Sequence, residues 1–315
     1  MQMSGIQPLA CIDILRKLCN HPIVLANAIY GDSNSNESVA KPVMSWLSEA
    51  LPSDFDRDSV NVEDSGKLAV LVRLLYSIRQ QSTNDRVVIV SNFTQTLDLL
   101  EFMCDASEYK YCRLDGTTPT AQRQEIVASF NRCNSQSPYV FLLSSKAGGV
   151  GLNLTGACRL VLYDSDWNPA SDLQAMARIW REGQKHPCRI YRLLTAGTIE
   201  EKIFQRQIRK QGLSHSVDAA RLEFSVGNDS VTFTELELKD IFSLDSTTPC
   251  QTHDLMKCPC DGSEESKNDC AAGGQAGMHE LFSWRHHFPS DMSFFSRIPE
   301  LNAALDFISF VFESP

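Results

Sequence analysis

The sequence runs to 315 residues, 43% apolar and 22% charged, the balance of an ordinary globular chain with room for one large or two average domains. A formal charge of −10 argues against a generally basic nucleic-acid coat, but it leaves space for a local basic groove because charge acts over a Debye length of about 8 Å. No apolar run approaches the roughly 20 residues of a membrane span, and the opening MQMSGIQPLACID carries neither a charged leader nor a long apolar core.

In chain order, residues 9–28 show helix-period apolar spacing, with Leu9, Ile12, Leu15 and Leu18 on one stripe that ends at CNHP before Pro22. Residues 31–65 are rich in Ser, Asn and Asp and read as a linker with a short helix from Trp46 to Leu51. From Lys67 onward, short β-rich runs alternate with amphipathic helices. The runs are VVIVS (87–91), YKYCRL (109–114), YVFLL (139–143), RLVLYD (159–164) and CRIYRL (188–193). Such alternation predicts βαβ units, a parallel sheet and right-handed crossovers, with ligands at the carboxyl ends of the strands. The loops to watch are therefore SNFTQ, LDGTTP, SSKAGGVGLN and DSDWNP. TIEEKIFQRQIRK (198–210) opens on a Thr-x-x-Glu capping box and continues as a basic amphipathic helix. A polar segment (250–277) and an aromatic-rich tail close the chain.

Arg178 and Arg181, in QAMARIWREGQ, lie three positions apart; on a helix they would be separated by about 4.5 Å along the axis and share a face. Two permanently charged forks side by side suit a polyphosphate, although a surface pair bridged to acids such as Glu182 satisfies the same spacing. In SSKAGGVGLN, Gly148, Gly149 and Gly151 allow close backbone approach, and Ser144, Ser145 and Lys146 can hold a phosphate. A tight turn explains those glycines as well. No GxxxxGK[ST] is present: Gly66-Lys67 has no glycine five positions earlier and no Ser or Thr after it. Trp167 reads as core packing with Pro169 starting a helix, and Lys202, Arg206, Arg209 and Lys210 read as a largely solvated helix face.

Of eleven cysteines, seven, from Cys11 to Cys188, are scattered without framework spacing and read as reduced intracellular thiols. The other four crowd between Cys250 and Cys270. Zinc takes four ligands, yet C-x-C is tighter than the usual C-x₂-C, and a polar reduced linker fits the composition too.

The segments CIDILRKLCNHP, VSNFTQTLDLLE, RLDGTTPTAQRQEIVASFN, LSSKAGGVGLNLTGA, YDSDWNPASDLQAMARIWREGQ and YRLLTAGTIEEKIFQRQ occur in this order. Together they resemble the second motor lobe of the SWI/SNF-like, DNA-translocating ATPases. ARIWREGQ, SSKAGG and FTELELKDIFSL followed by THD most resemble the recombinational-repair, Rad-fifty-four branch, nearest its B paralogue. The resemblance implies an α/β fold: a RecA-like helicase C-terminal lobe, with a parallel sheet flanked by helices and a small irregular C-terminal segment. It divides the chain into an inter-lobe helical remnant (1–30), a linker (31–65), the lobe (66–215), a brace-helix region (216–249) and a C-terminal, zinc-binding segment (250–315).

In such motors ATP and Mg²⁺ lie between two lobes. The resemblance makes Arg178 and Arg181 arginine fingers and places Gly149, Gly151, Asn153 and Gln174 along the nucleotide cleft. It assigns backbone contacts with double-stranded DNA to Ser91, Asn92, Gln95, Arg113, Ser144, Ser145 and Lys146, and points Trp167 into the DNA groove. The implied zinc ligands are His253, Cys258, Cys260 and His286, with Cys270 as substitute. A nuclear role in homologous recombination and double-strand-break repair follows, with a recombinase filament on DNA as partner and no membrane. Family members carry a first lobe before the LRKLCNHP segment, whereas this sequence begins a few residues before it. The expectation is a fragment, isoform or incomplete gene model that alone hydrolyses no ATP. The alternative is a non-catalytic DNA- or recombinase-binding module; the GQ ending and DWNP speak against an RNA helicase.

Overall fold

The computed structural model describes residues 8–30, 51, 55–56, 59–82, 84–132, 137–147, 151–215, 234–260, 281 and 283–314. The helix expected from Trp46 falls outside them apart from Leu51, as do Gly149, residues 216–233 and Cys270.

Five strands form one parallel sheet: β1 Val87–Ser91, β2 Tyr111–Leu114, β3 Val140–Ser144, β4 Arg159–Leu162 and β5 Arg189–Arg192. Their spatial order is β2-β3-β1-β4-β5. Around and before the sheet come α1 Pro8–Asn20, α2 Pro22–Tyr30, α3 Gly66–Gln81, α4 Thr94–Ala106, α5 Thr120–Asn131 and α6 Pro169–Met176. After it come α7 Ile199–His215, α8 Glu235–Ile241, α9 Gln251–Met256, and the single turns α10 Met292–Phe295 and α11 Pro299–Asn302. A two-stranded antiparallel ribbon, β6 Arg285–His287 with β7 Val311–Glu313, completes the tail. No described helix is long and apolar enough to cross a membrane.

β1 and β3 are buried along their whole length because helices cover both faces of the sheet. Strand alternation divides their side chains between two cores. Val87 and Ile89 join Leu71 and Leu75 of α3 and Leu100 and Met103 of α4 on one face. Val88 and Val90 join Phe130 of α5, Leu154, Ala175 of α6 and Ile179 on the other. The expected α/β lobe is the one observed.

Two local expectations give way to tertiary packing. On α1, Leu9 and Leu18 are exposed, while Ile12, Arg16 and Asn20, spaced by four residues, turn inward. The inward face is partly polar because it meets a buried polar cluster rather than an apolar wall. At its centre, the Lys67 ammonium on α3 donates to Glu200 Oε1 of α7 at 2.5 Å, to Asn20 Oδ1 at 2.6 Å and to the Tyr163 carbonyl at 2.9 Å. Asn20 in turn donates to Asp164 Oδ2 at 3.0 Å and to Thr96.

The capping box expected at Thr198 does not close. The Glu201 carboxylate accepts instead from the backbone N–H groups of Gly197, Gln251 and Thr252, which fastens α9 to the start of α7. Gly197 has φ +66°, and an added Cβ would stand 1.8 Å from the Asp245 carbonyl oxygen, so only glycine fits this crossing. The box forms at Thr234 and Glu237 on α8. Of the helix face read as largely solvated, Arg209 and Lys210 are exposed, while Lys202 and Arg206 pair with Asp240 and Glu237 and hold α8 against α7.

The tail returns to the sheet through Glu300, which has no exposed surface and accepts from Arg189 and from the Tyr191 hydroxyl at 2.8 Å. Burial alone would raise its pKa, but a backbone N–H, Tyr191 and Arg189 outweigh burial and hold it below the ordinary 4.5. The unfolded tail therefore takes up the proton first. Its docking is intact above pH 4.5 and is lost as pH falls below that value, which limited proteolysis of the tail against pH will read.

Replacing Lys67 with Met strands the Glu200 carboxylate and is expected to cost about 3–5 kcal/mol in urea unfolding; K67M combined with E200L recovers most of that loss.

Candidate functional site

The carboxyl ends of β1, β3 and β4 are drawn together by Asp164, which follows β4. Its carboxylate accepts from the Ser91 hydroxyl, from the Asn92 backbone N–H at 2.8 Å and from Asn92 Nδ2 at 2.7 Å. Asn92 Oδ1 accepts from the Ser145 hydroxyl at 2.6 Å, and Ser145 N–H donates to the Ser91 carbonyl. Three loops are thereby locked by one side chain. Asp164 is the residue that sequence reasoning missed; its place immediately after an apolar strand was the available signal.

This geometry sorts the expected DNA contacts. Ser91 and Ser144 are buried at the paired ends of β1 and β3, so they shape the loops instead of facing a ligand. Arg113 is clamped by Asp98, Glu101 and Asp115 at 2.6–2.8 Å, and these carboxylates hold its charge within the protein. Trp167 is partly buried and packs against the cluster of Ile12, Ile199, Ile203 and Ile241. Asn92, Gln95 and Ser145 remain partly exposed and Lys146 is exposed.

The arginine pair sits beyond a helix, not on one. Asn168 caps α6, Pro169 occupies its first turn, and the helix ends at Met176. Turns follow, because the Arg178 carbonyl leaves the helical ladder to accept from Leu154 N–H at 2.9 Å. Gln184 Nε2 then donates to the Ala157 carbonyl at 2.7 Å, pinning the far end of the turn. Gln174 lies exposed near the end of α6.

Even so, both guanidinium groups converge on Gly151: an added Cβ there would meet Arg181 Nη1 at 3.8 Å and Arg178 Nη1 at 3.9 Å. Arg181 Nη1 also donates to the Gly151 carbonyl at 3.3 Å. Arg178 is only 9% exposed, and burial followed by the nearby Arg181 charge depresses its pKa. Two like charges held together, one of them desolvated, favour a multiply charged anion. Asn153 lies exposed in the same loop, its carbonyl accepting from Asn131.

A second cluster stands on the tail. α9 supplies His253; Lys257, with φ +53°, turns the chain back so that Cys258 and Cys260 face it; β6 supplies His286. The four ligand atoms lie within 4.8 Å of one another. Cys258 and Cys260 sulfurs are 3.3 Å apart, His253 Nε2 is 3.1 Å from Cys260, and His286 Nδ1 is 3.3 Å from Cys260 and 3.5 Å from Cys258. A zinc tetrahedron has edges of about 3.3–3.8 Å, so this donor set fits that ion with little movement. His286 Nε2 donates to the Leu281 carbonyl, leaving Nδ1 as the ligand atom, and burial lowers the pKa of both imidazoles toward the neutral, ligating form.

Residues 66–183 match the helicase conserved C-terminal domain. The chain is 45% identical over 332 residues to the DNA repair and recombination protein RAD54B of Gallus gallus, covering 97% of this chain and 35% of that protein. It is 46% identical over 261 residues to the DNA repair protein rhp54 of Schizosaccharomyces pombe, covering 81% and 28%. The crystal structure of the C-terminal part of the Fun30 ATPase domain matches with TM-score 0.50 and 28% identity, over 65% of this chain and 73% of that one. The chain thus spans about a third of the length of the curated relatives it matches.

Asp164→Ala is expected to release the 91–95 and 145–147 loops together. Hydrogen exchange should quicken in both, while the β5 amides keep their protection.

Proposed function

We propose a function on the premise that the chain belongs to the RAD54 branch of the SWI/SNF-like ATPases and carries its helicase C-terminal lobe. The lobe serves a DNA-dependent motor of recombination and DNA repair, acting in the nucleus on double-stranded DNA bearing a recombinase filament. The observation that carries this reading is the convergence of Arg178 and Arg181 on Gly151.

ATP, held with Mg²⁺ by a lobe that carries a phosphate loop, meets these two charges across the cleft. Gly151 and Asn153 line this side, and the family resemblance adds Gly149 and Gln174 to the nucleotide contacts. The transferred phosphoryl group spreads negative charge over its equatorial oxygens, and two guanidinium groups on a turn fixed by backbone hydrogen bonds stabilise that charge with little reorganisation. Gln95 and Lys146 donate to DNA backbone phosphates, contacts that fix position without reading sequence, while Asn92 and Ser145, whose donors are spent on Asp164, Ser91 and each other, hold the loops that present them. His253, Cys258, Cys260 and His286 hold a structural zinc ion, which closes the tail onto α7.

In a motor completed by a phosphate-loop lobe, Arg178→Ala or Arg181→Ala should lower DNA-stimulated ATP turnover about 10³-fold or more while duplex binding stays within twofold. The 315-residue chain alone should release no phosphate in a malachite-green assay with long duplex DNA. Equal turnover in R178A and wild type would overturn the finger assignment. Purified chain should contain about one zinc per molecule by ICP-MS, and C258S/C260S should abolish it.

A further inference from the structure

The loop after β1 is held from outside the sheet by α1. The Arg16 guanidinium lies 4.8 Å from the centre of the Phe93 ring, and the Lys17 ammonium lies 5.8 Å from the same centre. Arg16 is buried and donates to the Ser165 carbonyl at 2.6 Å, with Asp13 at 3.5 Å. It therefore joins the loop after β1 to the loop after β4 and fixes the α1 backbone over both. The neighbouring residue, Lys17, is only partly buried and meets no carboxylate among the described residues. Lys67, Arg113, Lys202 and Arg206, by contrast, are each satisfied by acids within 2.5–2.8 Å. Lys146, across the Asn92–Ser145 hydrogen bond, likewise meets no carboxylate among the described residues.

In a chain of net charge −10, two such cations at one end of the sheet mark a place that attracts a polyanion. We infer that Lys17 is a further DNA-backbone contact, positioned by Arg16 through Phe93, so that the duplex-binding face extends from the sheet loops onto α1. This rests on the DNA reading given above. A ring-backed ammonium keeps its direction while its charge stays accessible, as a phosphodiester contact requires.

The test is fluorescence anisotropy of the 315-residue chain with a labelled 30-base-pair duplex, titrated over a series of salt concentrations. Lys17→Ala should weaken binding several-fold at low salt and reduce the slope of log K against log salt by about 0.9, whereas K17R should restore both. Lys110→Ala, which removes the same charge at the opposite end of the sheet, should leave the slope unchanged. A K17A slope equal to that of K110A would overturn the inference while leaving the DNA reading intact. Absence of duplex binding by the unsubstituted chain would overturn both. Equal thermal midpoints for K17A and wild type should show that the fold is unaffected.

Discussion

The lobe depends on a buried charge pair that joins segments far apart in the chain. Lys67 and Glu200 meet at 2.5 Å with side chains 4% and 3% exposed. Desolvating two such ions costs several kcal/mol each, which is recovered only if the remaining donors are satisfied. Here they are: the ammonium also reaches Asn20 and the Tyr163 carbonyl, and the carboxylate accepts from Thr195 N–H. The pair therefore contributes more to where α1, α3, β4 and α7 sit than to net stability. Through Asn20 it reaches Asp164, and through Asp164 the loops that form the candidate DNA face.

The tail repeats this arrangement on a smaller scale. Glu201 gathers the backbone of α9, Glu300 gathers Arg189 and Tyr191, and four soft or borderline ligands converge from α9, its exit turn and β6. Aromatic rings fill the remaining space: Phe310 lies 4.8 Å from His253 and Phe312 lies 5.0 Å from His286. A segment with this little apolar core relies on directional contacts to hold one arrangement.

Strands and main helices were legible in the sequence because their periodicity is strong: VVIVS cannot be solvated, and AQRQEIVASF has few other ways to pack. The Cys–His set was legible as residue types, though C-x-C spacing alone gave no geometry for it. Four features were not legible. The inward face of α1 is polar, so the apolar stripe misled. The arginine helix stops at Met176 because Leu154, distant in sequence, claims the Arg178 carbonyl. Arg113 carries a positive charge like any surface cation, but three acids from two separate elements converge on it. Lys67 sits in a segment that merely fails the phosphate-loop pattern, and nothing local foretells its partner Glu200.

The hydrogen bond from Leu154 to Arg178 has one more effect. It clips the arginine turn to the strip of chain that leads through Ala157 into β4, and β4 ends two residues before Asp164. The arginine turn is thereby joined, through the turn at Thr155–Gly156 and then β4, to the carboxylate that latches three loops. The arginine turn and the Asp164 latch therefore stand at opposite ends of β4, so a load applied at one must run the length of that strand to reach the other.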